Sequence, residues 1–176
     1  MRLFIAIDTS EQVKNQIADF IDEIKPGFSK GRFIKKDNLH ITLVFIGECK
    51  RADEIIVVLK EISFEPFCIV AKNVRAFSKR GGLYHIEMQK DERLLRLQSE
   101  IHTKLCAAGF NLEEREYYPH ITIAREAQLF SSIDDKVGDF LKTGLEIKAE
   151  SVTLFESKFE HGGVKYVPVY VKGAQK

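Results

Sequence analysis

His40-Ile41-Thr42-Leu43 and His120-Ile121-Thr122-Ile123 are two copies of one tetrapeptide, eighty residues apart, and their reading decides the fold. Both lie in apolar, β-branched runs, which favour strands. Side chains alternate faces along a strand. His40 and Thr42 therefore share one face, with Ile41 and Leu43 on the other, and the second copy repeats this with His120 and Thr122. Two such strands brought together would place two imidazoles and two hydroxyls in one polar cleft backed by apolar core. That arrangement suits acid–base chemistry without a cofactor.

Outward from the motifs, the pattern alternates strands and helices. A strand is expected over 2–7, then a helix capped by Thr9 or Ser10, with Val13, Ile17, Phe20, Ile21 and Ile24 at helical spacing and Pro26-Gly27 as its stop. A basic loop over 30–36 leads into the first motif strand, and a second helix follows over 53–62. Residues 67–77 and 83–88 read as a hairpin with a basic tip, Ser78-Lys79-Arg80-Gly81-Gly82. A helix over 91–108 carries Leu94, Leu97, Ile101 and Leu105 on one face, with Gly109 as its C-cap. After the second motif come a short helix over 133–141, a strand over 145–155, a loop over 156–163 and a last strand over 164–171. Strands joined by hairpins with interleaved helices indicate an α+β fold with antiparallel sheets rather than a doubly wound parallel sheet. With no low-complexity linker, residues 1–176 are expected to form a single domain of two lobes sharing an interface.

Composition narrows the function. Lys and Arg number 27 against 26 Asp and Glu, a formal charge of +1, so a polyanion site must be a local patch. Three widely spaced cysteines, Cys49, Cys68 and Cys106, suit a reducing interior, and no apolar run reaches membrane-spanning length, so a cytoplasmic monomer is expected.

A lone His-x-Thr is ordinarily a hydrogen-bonded structural element. Two copies on matching faces point to a shared site. Metal binding usually needs three or four protein ligands, and neither motif has a further His, Cys or carboxylate at ligand spacing. A threonine nucleophile would make the second pair redundant. Concerted acid–base work on a phosphodiester fits best. A histidine near its unperturbed pKa of about 6.5 serves as either acid or base, and the threonine hydroxyls can donate to phosphate oxygens.

These motifs resemble the H-x-T-x signatures of the two-histidine (2H) phosphoesterase superfamily, and further stretches narrow the likeness to its RNA 2′,3′-cyclic phosphodiesterase, or 2′-5′ RNA ligase-like, branch. They are Arg2-Leu3-Phe4-Ile5-Ala6-Ile7, Asn38-Leu39-His40 through Glu48, Tyr118-Pro119-His120 through Arg125, and Leu154-Phe155-Glu156-Ser157-Lys158 with Gly162-Gly163 and Tyr166. The resemblance implies a bilobal fold, two antiparallel β-sheets flanked by helices, with pseudo-twofold symmetry around a central cleft. It also implies metal-independent opening of a terminal 2′,3′-cyclic phosphate on RNA, tRNA fragments included, or on cyclic nucleotides, leaving a 2′-phosphate. His40 would be the proton donor and His120 the proton acceptor, assisted by Thr42 and Thr122. The alternatives are 2′-5′ ligation of tRNA halves and a non-catalytic module that holds RNA ends or nucleotides.

Arg125 resembles a family arginine and invites a phosphate-clamp role, although strict alternation puts it on the face opposite His120 and Thr122. Lys79 and Arg80 are candidates for the RNA-backbone rim, and Phe33 or Tyr118 for stacking on the terminal base. Phe33 stands where the family often carries Trp, and Ala76-Phe77-Ser78-Lys79-Arg80 where it often has a Gly-Phe-Pro turn.

Overall fold

The computed structural model describes residues 1–77 and 82–175. β1 (Arg2–Asp8), β3 (His40–Glu48), β8 (Ser151–Glu160) and β9 (Gly163–Gly173) form a four-stranded sheet in the order β3-β1-β8-β9. β2 (Phe28–Phe33), β4 (Phe67–Phe77), β5 (Leu83–Met88), β6 (His120–Leu129) and β7 (Glu146–Ala149) form a five-stranded sheet in the order β2-β6-β5-β4-β7. All the described pairings are antiparallel.

Among the described residues, four α-helices complete the fold: α1 (Glu11–Ile24), α2 (Ala52–Glu61), α3 (Glu92–Ala107) and α4 (Asp134–Lys142). None of them is long and apolar enough to cross a membrane. Ser10 caps α1 by accepting from the Val13 amide, and Asp91 caps α3 by accepting from the Arg93 and Leu94 amides. The apolar stripes of α1 and α3 join Leu3, Ile5, Ile7, Ile121 and Ile123 in one continuous core running behind both sheets. Each such side chain contributes roughly 1.5–3 kcal/mol through removal from water. The opposite sheet faces are left to form the cleft, where β3 meets β6.

An internal repeat governs the layout. β1-α1-β3 and β5-α3-β6 are the same unit, a strand, a helix and a motif strand that pairs antiparallel with the first. Asp8 lies opposite His40 in one unit and Glu87 opposite His120 in the other.

Three expectations need correction. The basic stretch expected as a loop over 30–36 is largely β2, a strand held by pairing with β6 and by Phe28, which packs into the core. The single strand expected over 145–155 is two strands in different sheets. β7 ends at Ala149, exposed Glu150 crosses between the sheets, and β8 begins at Ser151. The loop expected over 156–163 is mostly strand as well, because β8 runs on to Glu160 and turns at His161-Gly162. The tip of the β4–β5 hairpin, with Lys79 and Arg80, lies outside the described residues.

Candidate active site

In the first motif, His40 Nδ1 lies 2.7 Å from the carbonyl oxygen of Asn38. Donation to that carbonyl fixes the proton on Nδ1 and leaves Nε2 as acceptor. Nε2 in turn accepts from the Thr42 hydroxyl at 3.0 Å. The ring packs on Phe4, with centroids 5.0 Å apart, and meets Tyr166 edge-on at 5.1 Å. Burial pushes the His40 pKa down to about 4, outweighing the Asn38 carbonyl and Asp8, which favour the charged form. The positive ends of His120 and Arg125 act in the same direction as burial.

The second motif repeats the anchor. His120 Nδ1 lies 2.7 Å from the carbonyl oxygen of Tyr118, two residues upstream as before. Its ring is flanked by His85 at 5.3 Å and by Phe77 and Tyr118, each at 5.9 Å. Burial lowers its pKa, the Tyr118 carbonyl opposes that, and Arg115 and Arg125 add to the lowering. Both imidazoles are thus neutral near pH 7 and are held with Nε2 free of the backbone anchor. Tyr117, just upstream, ties the sheets together by donating its hydroxyl to the Thr42 carbonyl at 3.1 Å.

Strict alternation fails at the same point in each motif. Pairing skips from Ile5↔Val44 to Ala6↔Thr42, leaving Leu43 as an extra residue. It likewise skips from Tyr84↔Ala124 to His85↔Thr122, leaving Ile123 extra. A bulge of this kind shifts every later side chain to the other face. Phe45 therefore joins the face of His40 and Thr42, opposite Phe4, and Arg125 joins the face of His120 and Thr122. The bulge overrides the strict alternation that would turn Arg125 outward. Arg125 has no carboxylate partner among the described residues, and its charge disfavours protonation of both His40 and His120.

Other candidates fall differently. Phe33 pairs with Ala124 and packs against Phe28 at 5.4 Å, on the core side of the sheet. It is removed from the stacking role because its neighbour Arg32, opposite Arg125, takes the cleft face. Tyr118 lies beside His120, as its position in the sequence implies.

Two residues were missed. His85, 1% exposed, stacks on Phe77 at 4.2 Å and abuts His120, with neither ring nitrogen partnered among the described residues. Phe45, 48% exposed, carries the Arg2 guanidinium 5.2 Å above its ring. Pairing of β5 with β6 reveals the first and the bulge the second, and neither signal is local in sequence.

The profile of the 2′-5′ RNA ligase superfamily matches residues 13–156, and the chain belongs to that superfamily. Among curated relatives, it is 31% identical to an RNA 2′,3′-cyclic phosphodiesterase of Methanocaldococcus jannaschii over 97% of this chain and 96% of that one. A protein of the same name from Thermotoga maritima is 28% identical, covering 97% and 94%. Among solved structures, E. coli LigT in its apo form superposes with a TM-score of 0.81 at 23% identity, covering 99% and 98%. LigT complexed with 3′-AMP gives 0.80 at the same identity and coverage. The LigT likeness establishes the common fold.

Proposed function

We propose that this protein hydrolyses the 2′,3′-cyclic phosphate at an RNA end to a 2′-phosphate by metal-independent acid–base catalysis. The observation that carries this is the matched pair of histidines. There is one on each sheet, each with Nδ1 tied to the carbonyl two residues upstream, and each shares its face with a threonine. The relatives named RNA 2′,3′-cyclic phosphodiesterase support the substrate class. Residues 1–176 act as one catalytic unit, in the cytoplasm, where the three free cysteines stay reduced.

In the free protein His40 is neutral and its Nε2 is occupied by the Thr42 hydroxyl. A bound phosphodiester brings negative charge beside it, which raises its pKa, so His40 takes up a proton on binding. Thr42, released from Nε2, and Thr122 donate to the non-bridging oxygens, and Arg125 pairs with their charge. Neutral His120 removes a proton from water through Nε2. The water oxygen forms a bond to phosphorus as the bond from phosphorus to the 3′ oxygen breaks. Imidazolium His40 delivers its proton to that oxygen. The donor and acceptor roles follow the family resemblance.

The test is phosphorus NMR of products from a 2′,3′-cyclic nucleotide with EDTA-treated protein. A 2′-phosphate is expected, with kcat lowered about 10²–10⁴-fold in His40→Ala and in His120→Ala. Full activity in both variants, or tight binding of cyclic ends with no turnover by the wild type, would refute it.

A further inference from the structure

β9 and β3 are opposite edges of the first sheet, yet Tyr166 of β9 meets both Phe4, at 4.8 Å, and His40. Neighbouring strands are about 4.8 Å apart, so this contact requires the β8–β9 hairpin to curl over the cleft face. A register break between Leu154 and Phe155 gives it the bend. The tip is latched beside the first motif. Lys35 Nζ donates to the Gly162 carbonyl at 2.7 Å, and the Asn38 amide donates to the Val164 carbonyl at 2.8 Å. Asn38 is the residue whose own carbonyl anchors His40.

Phe159 pairs with Val164, and Ser157 with Tyr166, so Phe159 lies on the face from which Tyr166 reaches His40. It is 87% exposed, and Val164 beside it is 38% exposed. Phe4, Phe155 and Tyr166 form an apolar floor, and the bare Phe159 ring stands on the same face nearer the hairpin end. Lys158 and Lys165 lie on the other face of the hairpin and pair with Glu156 and Glu160, but Lys35, held at the tip on the Gly162 carbonyl, has no carboxylate partner among the described residues. An exposed ring beside an uncompensated cation suits single-stranded nucleic acid, with the ring stacking on a base and the cation meeting the backbone.

We propose that Phe159 stacks on a nucleobase upstream of the terminal nucleotide, so that the favoured substrate is a single-stranded RNA end rather than a free cyclic nucleotide. This rests on the cleft acting on cyclic phosphates. Continuity with the histidine cleft, through Tyr166 on the same face, and the uncompensated charge of Lys35 favour RNA over a second copy of this chain.

The test compares Phe159→Ala and Phe159→Trp with the wild type on a 2′,3′-cyclic mononucleotide and on a tetranucleotide with the same end. Alanine should raise KM about tenfold for the tetranucleotide and leave mononucleotide kinetics within about twofold, and tryptophan should restore the wild-type value. An equal change on both substrates, or none on either, would overturn the assignment. So would a concentration-dependent dimer in sedimentation that the alanine variant loses while its tetranucleotide KM is unchanged. If the wild type turns over neither substrate, the proposed activity fails. Fluorescence anisotropy with a 2′-phosphorylated tetranucleotide then decides for or against stacking on its own, by whether alanine weakens that binding.

Discussion

Acidification from pH 7 to pH 5 should weaken the fold in a way set by two imidazoles packed among aromatic rings. Burial holds both His40 and His85 down to about 4 from an ordinary 6.5. Between those values the unfolded chain binds protons that the native protein refuses, so stability rises with pH in that window. The contribution is fully present above about pH 6.5, falls as the pH drops, and is gone below about pH 4. Each ring then costs about 2 kcal/mol between pH 7 and pH 5, about 4 kcal/mol together. His120 acts in the same direction. Glu87 and Asp91, whose pKa values are lowered, contribute only below about pH 4.5, outside this range. With a urea slope of about 2 kcal/mol per molar, the unfolding midpoint should fall by about 2 M. His85→Phe keeps the stack on Phe77 and should remove about half of that fall. It should also raise the midpoint at pH 7, because two buried nitrogens without partners cost at least about 1 kcal/mol. A wild-type midpoint that moves by less than about 0.5 M, or a His85→Phe protein with the whole fall intact, would refute the burial-driven neutrality of these rings.

Two further outcomes are expected. Arg125→Ala should lower kcat/KM on a cyclic-ended RNA by about 10–100-fold, with partial recovery in Arg125→Lys, as measured by steady-state kinetics. A Cβ at Gly82 would sit 1.7 Å from the Ala127 carbonyl oxygen at a φ of +78°, so Gly82→Ala should lose about 3 kcal/mol or more in urea titration.

The parts of the fold legible in sequence are those governed by local pattern. The stripes of α1 and α3, the Ser10 cap and the two motif strands all follow from nearest-neighbour chemistry. What was hidden depends on partners distant in sequence. β2, with Ser29, Lys30, Gly31 and Arg32, has little intrinsic strand preference and is held by β6. An apolar run such as 145–155 reads as one strand even where the chain changes sheets at Glu150. Bulges are a property of paired strands, so the inward turn of Arg125 and Phe45 cannot be read from either strand alone. His85 had no motif context. Only its position across from Thr122 brings it to His120.

Each imidazole is clamped within its own sheet by a peptide carbonyl and packed rings, so neither has much freedom to search for a substrate. The gap between the sheets then works as a caliper. Its setting is held in part by the Tyr117 hydroxyl on the Thr42 carbonyl. For the proposed reaction, a strained five-membered cyclic phosphate, with its entering and leaving oxygens in line through phosphorus, would have to match that fixed span.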